Sequence, residues 1–149
     1  MQAIIFIGIQ GAGKSTFYRE YFLDTHIRIN LDMLKTRHRE KLIFQACLAA
    51  KQRFVIDNTN PTIEDRKRYI IPAKAQGFQV LAYYFNSNLE DCKQRNSQRQ
   101  GKKVIPLVGI LSTYKKLVLP SYTEGFDAIY SVKTHPDYSF IVKEWNREI

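Results

Sequence analysis

One segment near the start of the chain constrains the fold more than any other. Residues 8–15 read GIQGAGKS and fit the pattern G-x-x-x-x-G-K-[ST] at each required position. The segment follows the apolar run Ala3 to Ile7 and opens the mixed stretch Lys14 to Phe22, which predicts a strand before it and a helix after it. In that context the pattern indicates a loop that holds nucleotide phosphates, so we expect ATP or GTP, with ATP the usual ligand. The alternative is a glycine-rich turn that only joins a strand to a helix.

Each residue type in this loop has its own role in holding phosphate. Glycines let the backbone approach closely with its N–H groups pointing inward, and the helix that follows adds its positive end. Lys14 is expected to place its charge on the β- and γ-phosphates, and Ser15 to bind Mg²⁺ through its hydroxyl with the support of Thr16. The predicted nucleotide-binding residues of the loop are Gly11, Ala12, Gly13, Lys14, Ser15 and Thr16.

Five apolar runs alternate with five amphipathic stretches along the chain. The strands are predicted at Ala3 to Ile7, His26 to Leu31, Arg53 to Ile56, Gln79 to Phe85 and Ala128 to Val132. The helices are predicted at Lys14 to Phe22, Met33 to Ala50, Ile63 to Gln76, Leu89 to Arg99 and Leu107 to Val118, with Pro72 expected to kink or end the third. This alternation predicts the α/β class, with a mainly parallel five-stranded sheet, helices on both faces and a P-loop NTPase or kinase fold. We expect one domain over 1–149, and the tail from Lys133 onward is not assigned.

Two aspartates follow predicted strands, at the sheet edge where parallel strands place their ligands. Asp57 ends an apolar run and is the candidate second ligand of Mg²⁺ beside Ser15, the alternative being a helix cap or turn residue. Asp32 ends the second predicted strand and is the candidate general base, which takes the proton of an acceptor hydroxyl. Its other predicted role is the N-cap of the helix from Met33, and the two roles are compatible.

A basic segment follows Asp32 directly. Residues 35–41 read KTRHREK, and Lys35 and Arg37 are expected to contact the backbone phosphates of an acceptor strand. The alternative is a solvated helix face.

A second basic segment is predicted to form a lid over about residues 89–105. Arg95 and Arg99 lie four residues apart on a predicted helix, and Lys102 and Lys103 follow in a charged loop. We expect both arginines to bind the donor phosphates and the lid to exclude water. Without the loop at 8–15 these arginines would be interpreted as solubilising surface charge.

The composition favours an anionic partner in a reducing compartment. Lys and Arg number 23 against 14 Asp and Glu, a net charge of +9 that fits polyphosphate, nucleic acid or a membrane surface. Cys47 and Cys92 show neither metal spacing nor a disulfide framework, which favours the cytoplasm. The first seven residues, MQAIIFI, have no basic leader and are too short to span a membrane before Gly8, so we expect neither export nor membrane insertion.

Several segments taken together resemble the 5′-hydroxyl polynucleotide kinases, both the phage type and the kinase domain of the animal polynucleotide kinase/phosphatase. The resemblance rests on GIQGAGKSTF at 8–17, INLD at 29–32, VIDNTNP at 55–61 with Arg66 and Tyr69, CKQRNSQR at 92–99, VIP at 104–106 and EGFDAI at 124–129. It covers nearly the whole chain. The Asp-Asn-Thr-Asn-Pro segment and the Arg-Asn-x-x-Arg lid are much narrower signals than the phosphate-binding loop.

This resemblance implies an enzyme that uses ATP and Mg²⁺ to phosphorylate the 5′-OH end of DNA or RNA. It implies Asp32 as general base, with Lys14 and Arg99 as the other catalytic residues acting on the donor phosphates. Asn58 and Asn60 would shape the acceptor pocket. The predicted acceptor-binding residues are Lys35, Arg37, Asn58, Asn60 and Arg66.

Two positions depart from the family pattern. Leu31 stands where the family usually has Arg, and Lys35 stands where phage-type members have Arg, which keeps the charge but loses the fork geometry. Two other functions therefore stay open: a P-loop kinase for a small hydroxyl compound such as a nucleoside, sugar or nucleotide-sugar, and a non-catalytic switch in which ATP orders the lid. The length of the chain leads us to expect any phosphatase or ligase to be a separate protein.

Overall fold

The computed structural model describes residues 1–86, 88–99 and 104–145, and its centre is one six-stranded sheet. The strands are β1 Gln2–Ile7, β2 Ile27–Ile29, β3 Phe54–Ile56, β4 Gln79–Phe85, β5 Ala128–Thr134 and β6 Phe140–Glu144. Their order in the sheet is β2-β3-β1-β4-β5-β6. The first five strands pair in parallel, and β6 is antiparallel to β5.

The α/β class and the parallel arrangement are confirmed, but the predicted count of five strands was wrong. The sixth strand comes from the unassigned tail. A tight turn over His135–Ser139 returns the chain, since the N–H of His135 donates to the carbonyl of Ser139 at 2.9 Å. Tyr138 has a φ of 61°, which allows β6 to lie along the free edge of β5.

The helices are α1 Lys14–Tyr21, α2 Leu31–Leu34, α3 Arg37–Ala50, α4 Ile63–Ala75, α5 Leu89–Ser97 and α6 Leu107–Lys116. The single helix predicted from Met33 to Ala50 is two helices, because Lys35 has a φ of 74° and Thr36 starts α3 as its N-cap. The helix α4 continues past Pro72 to Ala75. No helix in the described ranges combines the length and apolar character that a membrane crossing requires.

Helices cover both faces of the sheet, as predicted, and the side chains of β1 show why. Alternate residues of a strand point to opposite faces, so Ala3, Ile5 and Ile7 enter one core layer while Ile4 and Phe6 enter the other. The first layer holds residues of α3 and α4, including Phe44, Leu48, Tyr69 and Ile70. The second holds residues of α1, α5 and α6, including Phe17, Cys92 and Ile110.

The carboxyl ends of β1, β3 and β2 meet at one edge of the sheet. The N–H of Asp57 donates to the carbonyl of Ile29 at 2.8 Å, and the N–H of Gly8 donates to the carbonyl of Thr59 at 3.0 Å. These bonds place the segments after β1, β2 and β3 side by side, which is where parallel sheets gather their ligands.

Candidate active site

The loop at 8–15, called the P-loop below, has a backbone that favours glycine at two positions. Gly11 has a φ of 80° and Gly13 a φ of 94°. A Cβ on Gly11 would lie 2.4 Å from the carbonyl oxygen of Cys92, and one on Gly13 would lie 2.9 Å from the side chain of Thr134. The helix α1 begins at Lys14, so its unpaired N–H groups and positive end lie at the loop. The structure thus has the strand, loop and helix that the motif requires.

Arg95 holds the P-loop in place through hydrogen bonds to the backbone. Its Nη1 donates to the carbonyl of Gly11 and its Nη2 to the carbonyl of Thr134, both at 3.1 Å, and the side chain is buried. The hydroxyl of Thr134 adds a second link by donating to the carbonyl of Ala12 at 2.8 Å. The prediction that Arg95 binds donor phosphates does not agree with this arrangement, because both terminal nitrogens bond to backbone. Arg95 instead joins the P-loop to α5 and β5.

Arg99 lies beyond the end of α5 at Ser97, so it does not share a helix face with Arg95 as predicted. It is exposed, and its charge is one of those that lower the pKa of Lys14, which puts it within electrostatic range of the P-loop. Residues 100–103, with the predicted lid lysines 102 and 103, lie outside the described residues.

Lys14 is buried within the P-loop. Its Nζ donates to the carbonyl of Gly8 at 2.9 Å and to that of Ile9 at 2.8 Å. Burial lowers the pKa of Lys14 from 10.5 to about 8, an effect that Asp57 and Asp32 partly oppose and Arg99 strengthens. Burial therefore destabilises the charged form of Lys14 in the free protein. Anionic phosphates near Lys14 would stabilise that charged form.

Ser15 and Asp57 form the pair predicted to bind metal. The hydroxyl of Ser15 donates to Asp57 Oδ2 at 3.0 Å, and Asp57 is buried. A hydroxyl and a carboxylate are the hard oxygen ligands that Mg²⁺ prefers, and phosphate oxygens and water usually complete its shell. The residues fit the ion, and the described part of the chain has no group of three or more His, Cys, Asp or Glu side chains that would hold one alone. Thr16, predicted to support Ser15, accepts instead from Arg19 at 3.2 Å.

Arg28 is a site residue that the sequence prediction missed. Its Nε donates to Asp57 Oδ2 at 2.7 Å and its Nη2 to Ser15 Oγ at 2.9 Å. The available signal was a charge in the middle of the apolar run Ile27-Arg28-Ile29. Since side chains alternate along a strand, Arg28 points away from the layer of Ile29 and toward α1, which carries Ser15.

Asp32 lies in the first turn of α2 and is exposed. The N-cap of α2 is Asn30, not Asp32, since Asn30 Oδ1 accepts from the N–H of Met33 at 2.9 Å. Two further bonds tie this turn to the end of β3: Asn30 Nδ2 donates to the carbonyl of Asp57 at 2.6 Å, and the N–H of Leu31 donates to Asn58 Oδ1 at 2.9 Å. Asp32 is thus held at the same sheet edge as the P-loop.

Two predicted acceptor-binding residues, Asn58 and Arg37, both donate hydrogen bonds to the buried carboxylate of Glu40. Glu40 Oε2 accepts from Asn58 Nδ2 at 2.9 Å, and Glu40 Oε1 accepts from Arg37 Nη1 and the hydroxyl of Tyr69, both at 2.8 Å. Burial and the Glu40 carboxylate raise the pKa of Tyr69 to about 12. Lys35 is exposed, and Arg37 is exposed while its Nη1 bonds to Glu40.

Arg66 and Asn60 are structural, in disagreement with their predicted contact with an acceptor. Arg66 is 0% exposed. Its guanidinium pairs with Glu124 at 2.9 Å and donates to the carbonyls of Asn60, Pro61 and Val118. Asn60 is also buried, and its Nδ2 donates to the carbonyl of Phe6 at 2.8 Å.

Comparison with known proteins supports the fold and the resemblance. Residues 35–108 match a family described as an AAA domain. The chain is 32% identical over 154 residues to a bifunctional polynucleotide phosphatase/kinase of Acanthamoeba polyphaga mimivirus, a match that covers 98% of this chain and 37% of the relative. It is 28% identical over 150 residues to the bifunctional polynucleotide phosphatase/kinase of Schizosaccharomyces pombe, covering 97% of this chain and 37% of the relative. The crystal structure of Chaetomium thermophilum Kti12 in complex with ADP-AlF3 superposes with a TM-score of 0.67 at 15% identity, covering 88% of both chains.

This chain therefore spans little more than a third of the length of the two curated relatives. Within that span, the similarity extends over nearly all of the chain and includes the P-loop and the segments after β2 and β3. The predicted resemblance is confirmed as a similarity: the chain has the α/β fold with a P-loop, and nearly all of it aligns with part of two proteins named polynucleotide phosphatase/kinases.

Proposed function

We propose that this chain is an ATP-dependent kinase that transfers the γ-phosphoryl group to the 5′-OH end of DNA or RNA. The observation that carries the proposal is the position of Asp32. It is an exposed carboxylate held at the same sheet edge as the P-loop, and its charge acts on the pKa of Lys14. A general base for this reaction has to be open to the acceptor and close to the phosphate, and the exposure of Asp32 together with its effect on Lys14 supports this role. The names of the two curated relatives support a nucleic-acid acceptor.

On the donor side, the P-loop backbone and Lys14 would hold the β- and γ-phosphates, and Arg99 would approach them from beyond α5. Ser15 and Asp57 would hold Mg²⁺. The bound ion would neutralise charge that develops on the transferred group. Arg95 and Thr134 contribute indirectly, because their bonds to Gly11 and Ala12 keep the loop in shape before the nucleotide enters.

On the acceptor side, Asp32 would take the proton of the 5′-OH as its oxygen attacks the γ-phosphorus in line with the leaving ADP. Lys35 and Arg37 are exposed and follow Asp32 closely in the chain, and they would contact the phosphates that follow the terminal nucleotide. Asn58 would act chiefly by holding α2 in place through its bond to the N–H of Leu31.

Incubation with γ-labelled ATP and Mg²⁺ tests the proposal directly. The acceptors should be DNA and RNA oligonucleotides with a 5′-OH, the same oligonucleotides with a 5′-phosphate, and a set of nucleosides and sugars. We expect label on the 5′-OH oligonucleotides alone. Label on small compounds alone would replace the proposal with a small-molecule kinase, and ATP binding without transfer to any acceptor would replace it with a nucleotide-dependent switch.

A further inference from the structure

A positively charged side chain already lies against the two oxygens proposed as magnesium ligands. Arg28 Nε is 2.7 Å from Asp57 Oδ2, and Arg28 Nη2 is 2.9 Å from Ser15 Oγ. The two oxygens are themselves 3.0 Å apart. One planar guanidinium therefore bridges both oxygens at once, which suits the fork geometry of arginine.

The burial of Asp57 explains why a cation is needed here. Asp57 is 2% exposed, and a carboxylate removed from water is strongly destabilising unless an opposite charge pairs with it. Arg28 is the partner in direct contact, through the 2.7 Å ion pair. Lys14 is a weaker partner, since its Nζ bonds to the carbonyls of Gly8 and Ile9 while Asp57 acts on its pKa from a distance.

A divalent ion on these oxygens would conflict with the guanidinium for two reasons. The Ser15 hydroxyl donates its proton to Asp57 and accepts from Arg28, so one of its two lone pairs is already used. Two cations within about 4 Å of each other also repel strongly where bulk water is excluded. Arg28 has a route away from the pair, because its side chain is 28% exposed whereas that of Asp57 is 2% exposed.

We propose that Arg28 is the counter-ion of the Ser15–Asp57 pair in the metal-free protein and that Mg²⁺ displaces it. Arg28 would keep the two ligands in position and keep the buried carboxylate paired until the ion arrives. It would also raise the Mg²⁺ concentration needed for nucleotide binding. The inference rests on the proposed metal site of the P-loop and is independent of the acceptor, so end-labelling results do not decide it.

Arg28→Gln tests the competition, because glutamine keeps an amide donor and loses the charge. The readout is the affinity for a non-hydrolysable ATP analogue, measured by calorimetry over a range of Mg²⁺ concentrations. We expect the Mg²⁺ concentration that gives half of the full increase in analogue affinity to be about tenfold lower in the variant than in the wild type, an effect within the usual range for coupling between two binding events. In EDTA the Arg28→Gln variant should have a lower melting temperature than the wild type. Saturating Mg²⁺ together with the analogue should reduce this difference in melting temperature. An unchanged or higher Mg²⁺ requirement would overturn the proposal.

Arg68→Gln is the matched control. Arg68 is an exposed arginine of α4, so this variant removes the same charge away from the pair and should leave the Mg²⁺ requirement as in the wild type. An equal shift in both variants would mean that net charge alone is responsible, which also overturns the proposal.

A measurement on the unmodified protein keeps the inference testable if Arg28→Gln does not fold. The ¹⁵N–¹H signal of Arg28 Nε reports its bond to Asp57. Adding the ATP analogue in EDTA should leave this signal near its starting position, and adding Mg²⁺ should then move or broaden it. A signal that stays in place at saturating Mg²⁺ and analogue shows that the ion pair persists and contradicts displacement.

Discussion

Asp32 and Asp57 follow neighbouring strands at one sheet edge, yet their surroundings differ. Asp57 is 2% exposed and bonded to Arg28 and Ser15, whereas Asp32 is exposed in the first turn of α2. A buried carboxylate that is always paired suits the binding of a cation. An exposed carboxylate suits the acceptance of a proton from an incoming molecule. Two residues of the same type thus divide the metal and acid–base roles in the proposed reaction.

Asp32→Asn should separate catalysis from nucleotide binding. The amide keeps the shape of the side chain and cannot accept the proton, so we expect single-turnover transfer to fall by about 10² to 10⁴-fold. The affinity for ATP, measured by calorimetry, should stay within about twofold of the wild type, since the lost interaction belongs to the transferring step. Asp24→Asn, at another exposed aspartate, is the control and should leave both quantities unchanged. A matching loss of ATP affinity in Asp32→Asn would contradict the assigned role.

The buried Lys14 predicts proton uptake on nucleotide binding. Its pKa is lowered to about 8 in the free protein, and the phosphates of ATP would raise it again. At about pH 8.5 binding should therefore take up part of a proton, and at about pH 6.5, where Lys14 is already charged, the lysine should take up none. Calorimetry in buffers of different ionisation enthalpy measures the number of protons taken up on binding. Lys14→Gln supplies the control, and equal uptake by that variant at the higher pH would assign the proton to another group.

The same shift has a consequence for the stability of the protein without nucleotide. The folded-state pKa of about 8 lies below the ordinary value of 10.5, so between these values the unfolded chain binds more protons than the folded one. Linkage then requires the contribution of Lys14 to the free energy of unfolding to rise with pH across that window.

At the scale of helices and strands, local sequence located the elements well but not all of their ends. The P-loop and the strand-then-Asp patterns were visible because each depends on neighbouring residues only. The break between α2 and α3 was not visible, since it depends on Lys35 adopting a φ of 74° while Asn30 and Thr36 each cap a helix. The strand β6 was missed although it lies close to β5 in sequence, because the turn that joins the two strands depends on Tyr138 adopting a φ of 61°.

The direction of a side chain was the least predictable property of the site. Arg66 and Arg95 carry the charge expected of phosphate-binding residues, and sequence alone gave no reason to bury them. Their partners, Glu124 and Thr134, lie far along the chain, and only the folded arrangement brings them together. Arg28 was overlooked for the same reason, because its partners come from α1 and from the end of β3.

The N-terminus of α4 has a reciprocal cap whose loss should be measurable. Thr62 Oγ1 accepts from the N–H of Asp65 at 3.1 Å, and the Asp65 carboxylate accepts from the N–H of Thr62 at 3.3 Å. Thr62→Ala should lower the free energy of unfolding in urea by about 1 kcal/mol. Thr62→Ser keeps the oxygen and should stay close to the wild type. If Thr62→Ser and Thr62→Ala lower the free energy of unfolding equally, the hydroxyl is not the stabilising group.

Across the whole molecule, Arg66 links α4 to the segment that follows α6. Its guanidinium pairs with Glu124, whose side chain is 4% exposed, and donates to the carbonyl of Val118. Arg66→Met would leave the Glu124 carboxylate buried without its partner, so we expect a loss of about 3–5 kcal/mol in the free energy of unfolding. Adding Glu124→Gln to Arg66→Met should recover part of this loss. A well-folded Arg66→Met protein that fails only to bind oligonucleotides would instead support the original acceptor role.

The net charge of +9 predicts that binding of a nucleic-acid acceptor depends on salt concentration. Each phosphate contact on a single strand releases counterions, so the two contacts proposed for Lys35 and Arg37 should weaken oligonucleotide binding about sevenfold between about 0.05 and 0.2 M salt. A nucleoside 3′-monophosphate, which reaches fewer of these groups, should show a shallower dependence in the same labelling assay. The double variant Lys35→Gln/Arg37→Gln should flatten the oligonucleotide slope, whereas Lys67→Gln, at an exposed lysine of α4, should not. Equal slopes for the long and the short acceptor would show that the surface beside Asp32 does not track a nucleic-acid backbone, and the acceptor would then have to be a compact molecule.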